Sequence, residues 1–217
     1  MRRIDVILIV VSIFMSSYSY SQSESFMQIS VGSNFLTTNN SNPKFKTFGP
    51  SSIQRFPTIR IESISVLIEG NDMDYYLDLG FGLESYGYKI VVKEDSILYN
   101  KYLTLFLQAG IGATSYLLED VPISFSVNFQ IMNLGFNRVY LNRKVIHTDL
   151  DAFKQYSLST RVDFRFIDYD NFRLSAFYLI DWGLTTMSRG TESFKYRTHS
   201  IGVSISFVNG FYGPIAF

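Results

Sequence analysis

The sequence contains no cysteine among its 217 residues. That absence excludes disulfides, thiolate catalysis, cysteine-based metal sites and a lipid-modified N-terminal cysteine. Only two histidines occur, His147 and His199, so a multi-histidine metal centre is not expected. The formal net charge is zero, which is unlike the basic surface of nucleic-acid binders and polybasic membrane-surface proteins. We therefore expect no nucleic-acid partner, no metal and no cofactor.

Recognisable catalytic motifs are also lacking, since the chain has no G-x-S-x-G, no H-E-x-x-H and no phosphate loop. His199 and Ser200 are adjacent, but neighbouring residues of a strand point to opposite faces. His147 falls in a segment predicted as an external loop, where a solvated side chain is expected. The segment Asp168-Tyr169-Asp170-Asn171 lacks the remaining ligand spacing of a calcium loop. We expect a protein that is not an enzyme, with no catalytic, cofactor-binding or metal-binding residue.

Residues 1–21 have the layout of a secretory signal peptide. A short basic region precedes an apolar run from Ile4 to Met15, and Ser19-Tyr20-Ser21 resembles a cleavage site. The run is too short for a transmembrane helix, which needs about 20 apolar residues. No later segment is long and apolar enough to be such a helix. We predict cleavage before Gln22.

The stretch from Tyr156 to Trp182 predicts two strands joined by a tight turn at residues 168–171. Each arm runs to about 11 residues, enough to cross a bilayer at a tilt and longer than the usual strand of about 5–6. Alternate side chains give the ribbon one apolar and one polar face. We interpret it as one hairpin of a transmembrane β-barrel. The apolar face comprises Tyr156, Leu158, Thr160, Val162, Phe164, Phe166, Phe172, Leu174, Ala176, Tyr178, Ile180 and Trp182.

The same alternation recurs along the chain and predicts eight strands in all. The six others begin near Met27, Thr58, Tyr75, Leu103, Ile123 and Ser200. In the second strand, Ile64, Val66 and Ile68 have the opposite parity from Ile59 and Ile61. A β-bulge near residues 62–63 would bring these residues to one face.

The connections between the predicted strands alternate in length. Residues 69–72 and 168–171 are short turns and 114–122 is of medium length. The other connections are long: 37–57, 85–100, 132–153 and 184–195. Outer-membrane barrels have short periplasmic turns and longer external loops. The pattern therefore predicts both chain termini in the periplasm.

Alternation alone does not say which face meets water, because a soluble barrel also alternates with its apolar face inward. A soluble sheet places lysine on its wet face, whereas all the lysines here fall in predicted loops or at strand ends. The polar faces instead carry small residues with balanced charges, which favours a membrane barrel with ion pairs in a narrow lumen. The predicted lumen charges are Arg60, Glu62, Asp78, Glu84, Arg161, Asp163, Arg165, Arg173 and Asp181, and the predicted aromatic girdle is Tyr75, Tyr102, Tyr156, Tyr178 and Trp182.

The strand phase and the closing segment from Thr198 to Phe207 resemble the small outer-membrane β-barrels of Bacteroidota, the PorT-like group. The resemblance covers about residues 22–208 and implies a bacterial outer-membrane location. Barrels of this kind usually end at the aromatic residue of the last strand, which would be Phe207. We thus expect an all-β fold, an eight-stranded antiparallel up-and-down transmembrane barrel at 22–208, after a cleaved signal peptide at 1–21 and before a tail at 209–217.

Three functional hypotheses follow from this architecture. The first is a non-enzymatic integral outer-membrane protein that serves as an anchor, an adhesive or interaction surface, or a component of an envelope assembly. Its surroundings would be outer-membrane lipid, and an envelope protein partner would bind the long connections 37–57 and 132–153. The alternatives are a lipid-modifying barrel enzyme that uses His199, and a soluble periplasmic ligand-binding barrel. The lumen charges are expected to form a structural plug, with a proton or ion path as the alternative.

Overall fold

The computed structural model describes residues 25–38, 45–47, 56–93, 96–117, 121–141, 144–151, 155–169, 172–185, 187–189 and 192–208. The predicted signal peptide at 1–21 and the predicted tail at 209–217 lie outside these residues and stay predictions. Within the described ranges, no helix is long and apolar enough to cross a membrane.

Twelve strands form the described part of the chain. In chain order they are β1 Ser25–Thr38, β2 Phe45–Thr47, β3 Phe56–Ile68, β4 Met73–Lys93, β5 Ser96–Ser115, β6 Ile123–Leu141, β7 Lys144–Asp151, β8 Gln155–Asp168, β9 Phe172–Gly183, β10 Met187–Arg189, β11 Glu192–Phe194 and β12 Tyr196–Val208. Eight of these are long barrel strands: β1, β3, β4, β5, β6, β8, β9 and β12. The other four are short additions at one end of the barrel.

The barrel closes because each long strand pairs antiparallel with the next along the chain. The first and last strands then pair with each other, in a continuous register from Phe26 opposite Val208 to Thr38 opposite Tyr196. Closure leaves no sheet edge within the barrel, which is what a β-structure in lipid requires. The prediction of eight antiparallel strands in up-and-down order is confirmed.

The two faces of the barrel wall are inverted relative to a soluble protein. On the outer face, Val31 is 49% exposed and Phe125 is also 49% exposed, whereas Arg60 inside the barrel is 0% exposed. In β8, burial alternates residue by residue, and the polar members of the alternation are the buried ones. A wall of this kind meets lipid, because an apolar surface of this extent would be costly in water. The alternative of a soluble barrel with an apolar interior is wrong.

The second predicted strand is β3, and its predicted bulge near residues 62–63 is in the wrong position. The pairing of β3 with β1 and β4 runs without a break through residues 62–63, and the register shifts only between Val66 and Ile68. Ile64 and Val66 therefore keep the inward phase and line the lumen near the short-turn end. After the shift, Ile68 faces outward and is 62% exposed. A bulge changes which residues face inward only for the part of the strand that follows it.

Two of the predicted long connections are largely strand. Residues 85–93 continue β4 and residues 96–100 continue β5, and these two extensions pair with each other. Residues 132–153 include the end of β6 and the whole of β7, which pair with each other. The charged and polar residues that suggested loops are compatible with strands that project beyond the bilayer, where both faces meet water.

The predicted aromatic girdle is partly confirmed. Tyr75 faces outward and is 49% exposed, and Tyr178 also faces outward at 37%. Tyr102 is 4% exposed and shares the inward phase of Thr104 and Phe106. Its assignment to the girdle was wrong, because proximity to a strand end does not decide the face on which a side chain lies.

Leu79 lies midway along the outward face of β4, and we predict that Leu79→Arg destabilises the folded barrel by about 2–4 kcal/mol. The reason is the cost of an arginine at the bilayer midplane, which falls to about 0–1 kcal/mol near the interfaces. Leu117→Arg is the matched control, because Leu117 is 73% exposed in the turn between β5 and β6. Equilibrium unfolding in lipid vesicles measures both. Equal effects of the two substitutions would contradict the lipid-facing assignment.

The charged lumen as candidate functional site

The lumen holds two arginine-centred clusters, and Arg161 organises the one nearer the short turns. It comes from the middle of β8, where odd-numbered residues face inward. Its Nη1 donates to Glu62 Oε2 at 2.6 Å, while Nε and Nη2 donate to the two carboxylate oxygens of Asp163 at 2.7 Å each. The guanidinium also lies 4.5 Å from the ring centroid of Phe177. Three of its donors are thus satisfied by charged acceptors in a water-poor interior.

Arg60 organises the second cluster, nearer the long connections. Its Nη2 lies 3.1 Å from Asp181 Oδ2 and 3.8 Å from Glu84 Oε2, and all three side chains are fully buried. The guanidinium stacks over Phe106, 4.5 Å from the ring centroid. Thr198 Oγ1 lies 2.8 Å from Glu84 Oε1 and 3.1 Å from Asp181 Oδ2, so it links the two acids. Buried charges are tolerated in such a place only when they are paired.

Side-chain amides connect the two clusters into one network. Gln108 accepts a hydrogen bond from Arg60 Nη1 at 2.9 Å and donates to Glu62 Oε1 at 2.7 Å. Asn128 Nδ2 donates to Asp78 Oδ2 at 2.8 Å. These amides were not predicted as partners of the charges. The sequence pattern that could have identified them is their position on the same inward strand faces as the charged residues.

Glycines make room for the large inward side chains. A Cβ added at Gly82 would lie 2.6 Å from the Phe106 ring, and one added at Gly112 would collide with the Tyr76 ring. Real side chains do not approach so closely, so an alanine at either position would displace the aromatic ring. These strand glycines are thus lumen positions that leave room for large neighbours.

Two of the predicted lumen arginines, Arg165 and Arg173, pair with an acid at the short-turn end and not with the two clusters above. Arg165 Nη1 lies 2.8 Å from Asp168 Oδ2, and Arg173 Nε lies 3.0 Å from Asp168 Oδ1. Asp168 ends β8 beside the turn, so these pairs close the short-turn rim of the barrel rather than its interior. Arg173 also lies over the ring of Phe26 at 3.9 Å. Asp168 is thus paired with two arginines, which gives no support to a role as a calcium ligand.

The lumen cavity at the short-turn end is small. The cavity at the short-turn end has a volume of about 40 Å³ and is bounded by side chains that include Tyr76, Asp78, Arg161 and Asp163. That is room for a few water molecules at most, since one water needs about 10–15 Å³ on this measure. No group of three or more potential metal-ligating residues occurs in the described part of the barrel. The geometry fits a charged plug that holds the strands together.

The two histidines lie outside the lumen network. His199 is on the outer face of β12, where Tyr178 Oη lies 2.6 Å from its Nδ1 and the Phe35 ring is stacked 5.0 Å away. Ser200 points inward and donates to Asn34 Oδ1, so the adjacent pair is separated as predicted. His147 was predicted in a loop, but it lies on β7, opposite Val139, with an exposed side chain.

A closed antiparallel barrel with an apolar outer wall and a charged, hydrogen-bonded interior is an integral β-barrel of the bacterial outer membrane. Solved structures share this fold. The outer membrane protease OmpT from Escherichia coli matches with a TM-score of 0.51 at 10% identity, over 85% of this chain and 96% of that one. Neisserial surface protein A matches with a TM-score of 0.47 at 10% identity, over 84% and 96%. At these identities the likeness concerns the fold alone.

Sequence comparisons do not assign the chain to a protein family. No protein-family model matches the chain, and no curated protein matches it. The attachment invasion locus protein Ail of Yersinia pestis is a further structural match, with 14% identity and a TM-score of 0.45, over 85% of this chain and 99% of that one.

We predict that Arg161→Met destabilises the barrel by about 3–5 kcal/mol, because Glu62 and Asp163 would remain buried without their cation. Arg197→Met is the control, since Arg197 is an exposed arginine at the end of β12 and a surface change of this kind is usually within about 0.5 kcal/mol. Denaturant unfolding of both variants in detergent micelles provides the measurement.

A rescue variant separates the loss of pairing from the loss of packing volume. In R161M/E62Q/D163N the two acids are neutral, so most of the lost stability should return. If the triple variant is no more stable than Arg161→Met alone, the ion pairs are not what stabilises this level of the lumen.

Proposed function

We propose that the protein is a non-enzymatic anchor that holds a β-sheet interaction surface above the outer membrane. The observation that carries the proposal is the continuation of three barrel strands beyond the barrel. At one level Phe45 pairs with Ile90, Ile90 with Leu98, Leu98 with Leu141 and Leu141 with Lys144. Strands β2, β4, β5, β6 and β7 thus form one sheet, which we call the outer sheet.

The outer sheet ends at an exposed edge strand. Within the described residues, β7 is hydrogen-bonded to β6 alone, so its other edge has no strand partner. Two consecutive apolar residues on it, Val145 and Ile146, are each 53% exposed. An exposed edge of this kind accepts a further strand, with main-chain hydrogen bonds for affinity and side-chain contacts for specificity. A protein partner in the envelope that contributes an extended segment fits this edge.

Solute transport through the lumen is not favoured. The Arg60 and Arg161 clusters occupy successive levels of the interior, and their charged residues are at most 8% exposed. An eight-stranded barrel is only just wide enough for side chains to fill. The plug therefore supports an anchoring role over a porin-like role.

A lipid-modifying activity at His199 has little support. Among the described residues, its ring contacts Tyr178, Thr37 and Phe35. None of these is a carboxylate that would orient the imidazole as a general base, which is the usual arrangement in hydrolytic sites. Aromatic and hydroxyl neighbours on the outer wall are instead typical of a membrane interface. We propose that the protein is not an enzyme.

The finer assignment rests on sequence pattern. We propose that the chain is one of the PorT-like small barrels of Bacteroidota, supported by the strand phase and by the closing segment Thr198–Phe207. In that segment Ser204 and Ser206 are buried, while Val203 and Phe207 are exposed on the outer wall.

Photo-crosslinking in intact cells tests the interaction surface. With Thr148 on β7 replaced by a benzophenone amino acid, we expect one discrete adduct with a protein of the envelope. The adduct should disappear in V145K/I146K, because charged side chains on an edge strand oppose strand addition. It should persist in L117K/V121K, a matched change of two exposed apolar residues at the opposite end of the barrel.

Two outcomes would contradict the proposed surface. One is the absence of any adduct when the barrel itself is folded, as shown by its mobility shift on heating before electrophoresis. The other is an adduct that survives V145K/I146K unchanged.

A further inference from the structure

The long-connection end of the barrel carries an excess of basic residues, although the formal net charge of the whole chain is zero. Nine basic residues lie at this end among the described residues, against three acids. The basic residues are Lys46, Lys89, Lys93, Lys101, Arg138, Lys144, Arg189, Lys195 and Arg197, and the acids are Asp149, Asp151 and Glu192. The described part of this end therefore has six more positive than negative charges.

The balancing negative charge lies elsewhere in the barrel. The lumen holds five buried acids with two arginines, namely Glu62, Asp78, Glu84, Asp163 and Asp181 with Arg60 and Arg161. The described short-turn end holds four acids with two arginines, namely Glu69, Asp72, Asp74 and Asp168 with Arg165 and Arg173. The chain is therefore polarised along the barrel axis, with its positive pole at the long-connection end. A field of this kind attracts ligands of the opposite charge.

Pairing within the chain does not remove the positive excess. Lys101 and Arg138 already have interaction partners in the chain, and without them seven basic residues still accompany the three acids. Since one acid neutralises one cation, at least four positive charges remain when every acid is paired. By sequence, the residues that connect these strands add four bases and two acids: Lys44, Arg55, Arg143 and Lys154 with Glu94 and Asp95. A negatively charged group from outside the chain therefore complements this end.

Most of the excess lies on the outer sheet, next to β7. Six of the nine basic residues and two of the three acids belong to its strands β2, β4, β5, β6 and β7. Lys46 is directly opposite Lys89 in the pairing of β2 with β4, and the exposed Lys144 begins β7. Like charges at directly opposite positions of a sheet repel, whereas opposite charges stabilise it. An acidic strand is therefore a better addition to this sheet than a neutral or basic one.

The height of the outer sheet favours a protein segment over lipid headgroups as the counterpart. The continuous apolar face of β4 ends at Leu83, because Ser85 and Gly87 take the next outward positions. Lys93 ends β4 ten residues further on, which is roughly 20 Å higher for a strand that rises about 3.3 Å per residue at a tilt of about 45°. The headgroup layer is about 5–8 Å thick, and charges are screened over about 8 Å. The top of the sheet is thus beyond the effective reach of the headgroup charges.

We propose that the extended segment that binds the β7 edge is acidic. This inference rests on the strand-addition surface proposed above and specifies the charge of its occupant. Main-chain hydrogen bonds to β7 hold the segment, and its carboxylates lie beside the cations of the outer sheet. The charge complementarity raises the association rate and excludes basic segments, and it weakens as the salt concentration rises.

Peptide binding to the full barrel, reconstituted in nanodiscs of phosphatidylcholine, tests the proposal. The probes are three short labelled peptides that alternate threonine with glutamate, glutamine or lysine, so that they differ in charge alone. Fluorescence anisotropy at low ionic strength should show the glutamate peptide bound about tenfold more tightly than the glutamine peptide, and the lysine peptide unbound. Added salt should remove most of this difference, because exposed charges are screened.

Charge reversal on the outer sheet is the decisive variant. K89E/K93E should abolish the preference for the glutamate peptide, because two cations of the sheet become acids. The matched control is K195E/R197E, which reverses two exposed cations at the same end of the barrel but outside the outer sheet. This control should keep most of the preference. All variants are checked for the heat-dependent mobility shift of a folded barrel.

The edge and the charge of its occupant are tested separately by V145K/I146K. If the glutamate and glutamine peptides bind equally well and both are lost in V145K/I146K, the strand-addition surface stands and the acidic partner is wrong. If the preference for glutamate persists unchanged in V145K/I146K, the acidic segment binds elsewhere and the strand-addition surface is wrong.

Three further results would overturn the proposal. The first is no measurable binding of the glutamate peptide to the folded barrel. The second is an equal effect of K89E/K93E and K195E/R197E, which would show general attraction to a basic end. The third is loss of glutamate-peptide binding when phosphatidylglycerol is added to the nanodiscs, which would show that the cations serve the anionic lipid surface.

Discussion

The ion pairs of Arg60 and Arg161 with their acids are the interaction on which the structure depends. A barrel that presents its apolar residues to lipid must turn its polar residues inward, where few waters fit. Charged groups there are stable only when they are paired with opposite charges. Acids from four strands supply these partners, since Glu62 and Asp163 bind Arg161 while Glu84 and Asp181 surround Arg60. It ties together strands that are distant in sequence.

This constraint also determines where function can reside. An interior filled by a hydrogen-bonded plug leaves the outside of the barrel for recognition. The outer sheet is the region proposed for this role, because its edge strand β7 carries exposed apolar side chains. It lies apart from the lumen network, so either can be altered without the other.

The strand phases and the orientation of the wall were predictable from the sequence, because period-two alternation over about 10 residues records burial on one face directly. The partners within the lumen were not, since Arg161 and Glu62 are 99 residues apart and only the register of the closed barrel brings them together. The extended hairpins were underestimated, because a strand that projects into water loses the alternation. Tyr102 shows the same limit, as its place near a strand end carried no information on its face.

The outward orientation of the apolar face can be tested residue by residue, because the chain has no native cysteine. Single cysteines at positions 157–166 of β8 would carry a nitroxide spin label in barrels reconstituted into vesicles. Labels at even positions, such as 158 and 162, should relax with lipid-dissolved oxygen. Labels at odd positions, such as 159 and 161, should show low accessibility to oxygen. High oxygen accessibility at the odd positions and protection at the even ones would contradict this orientation.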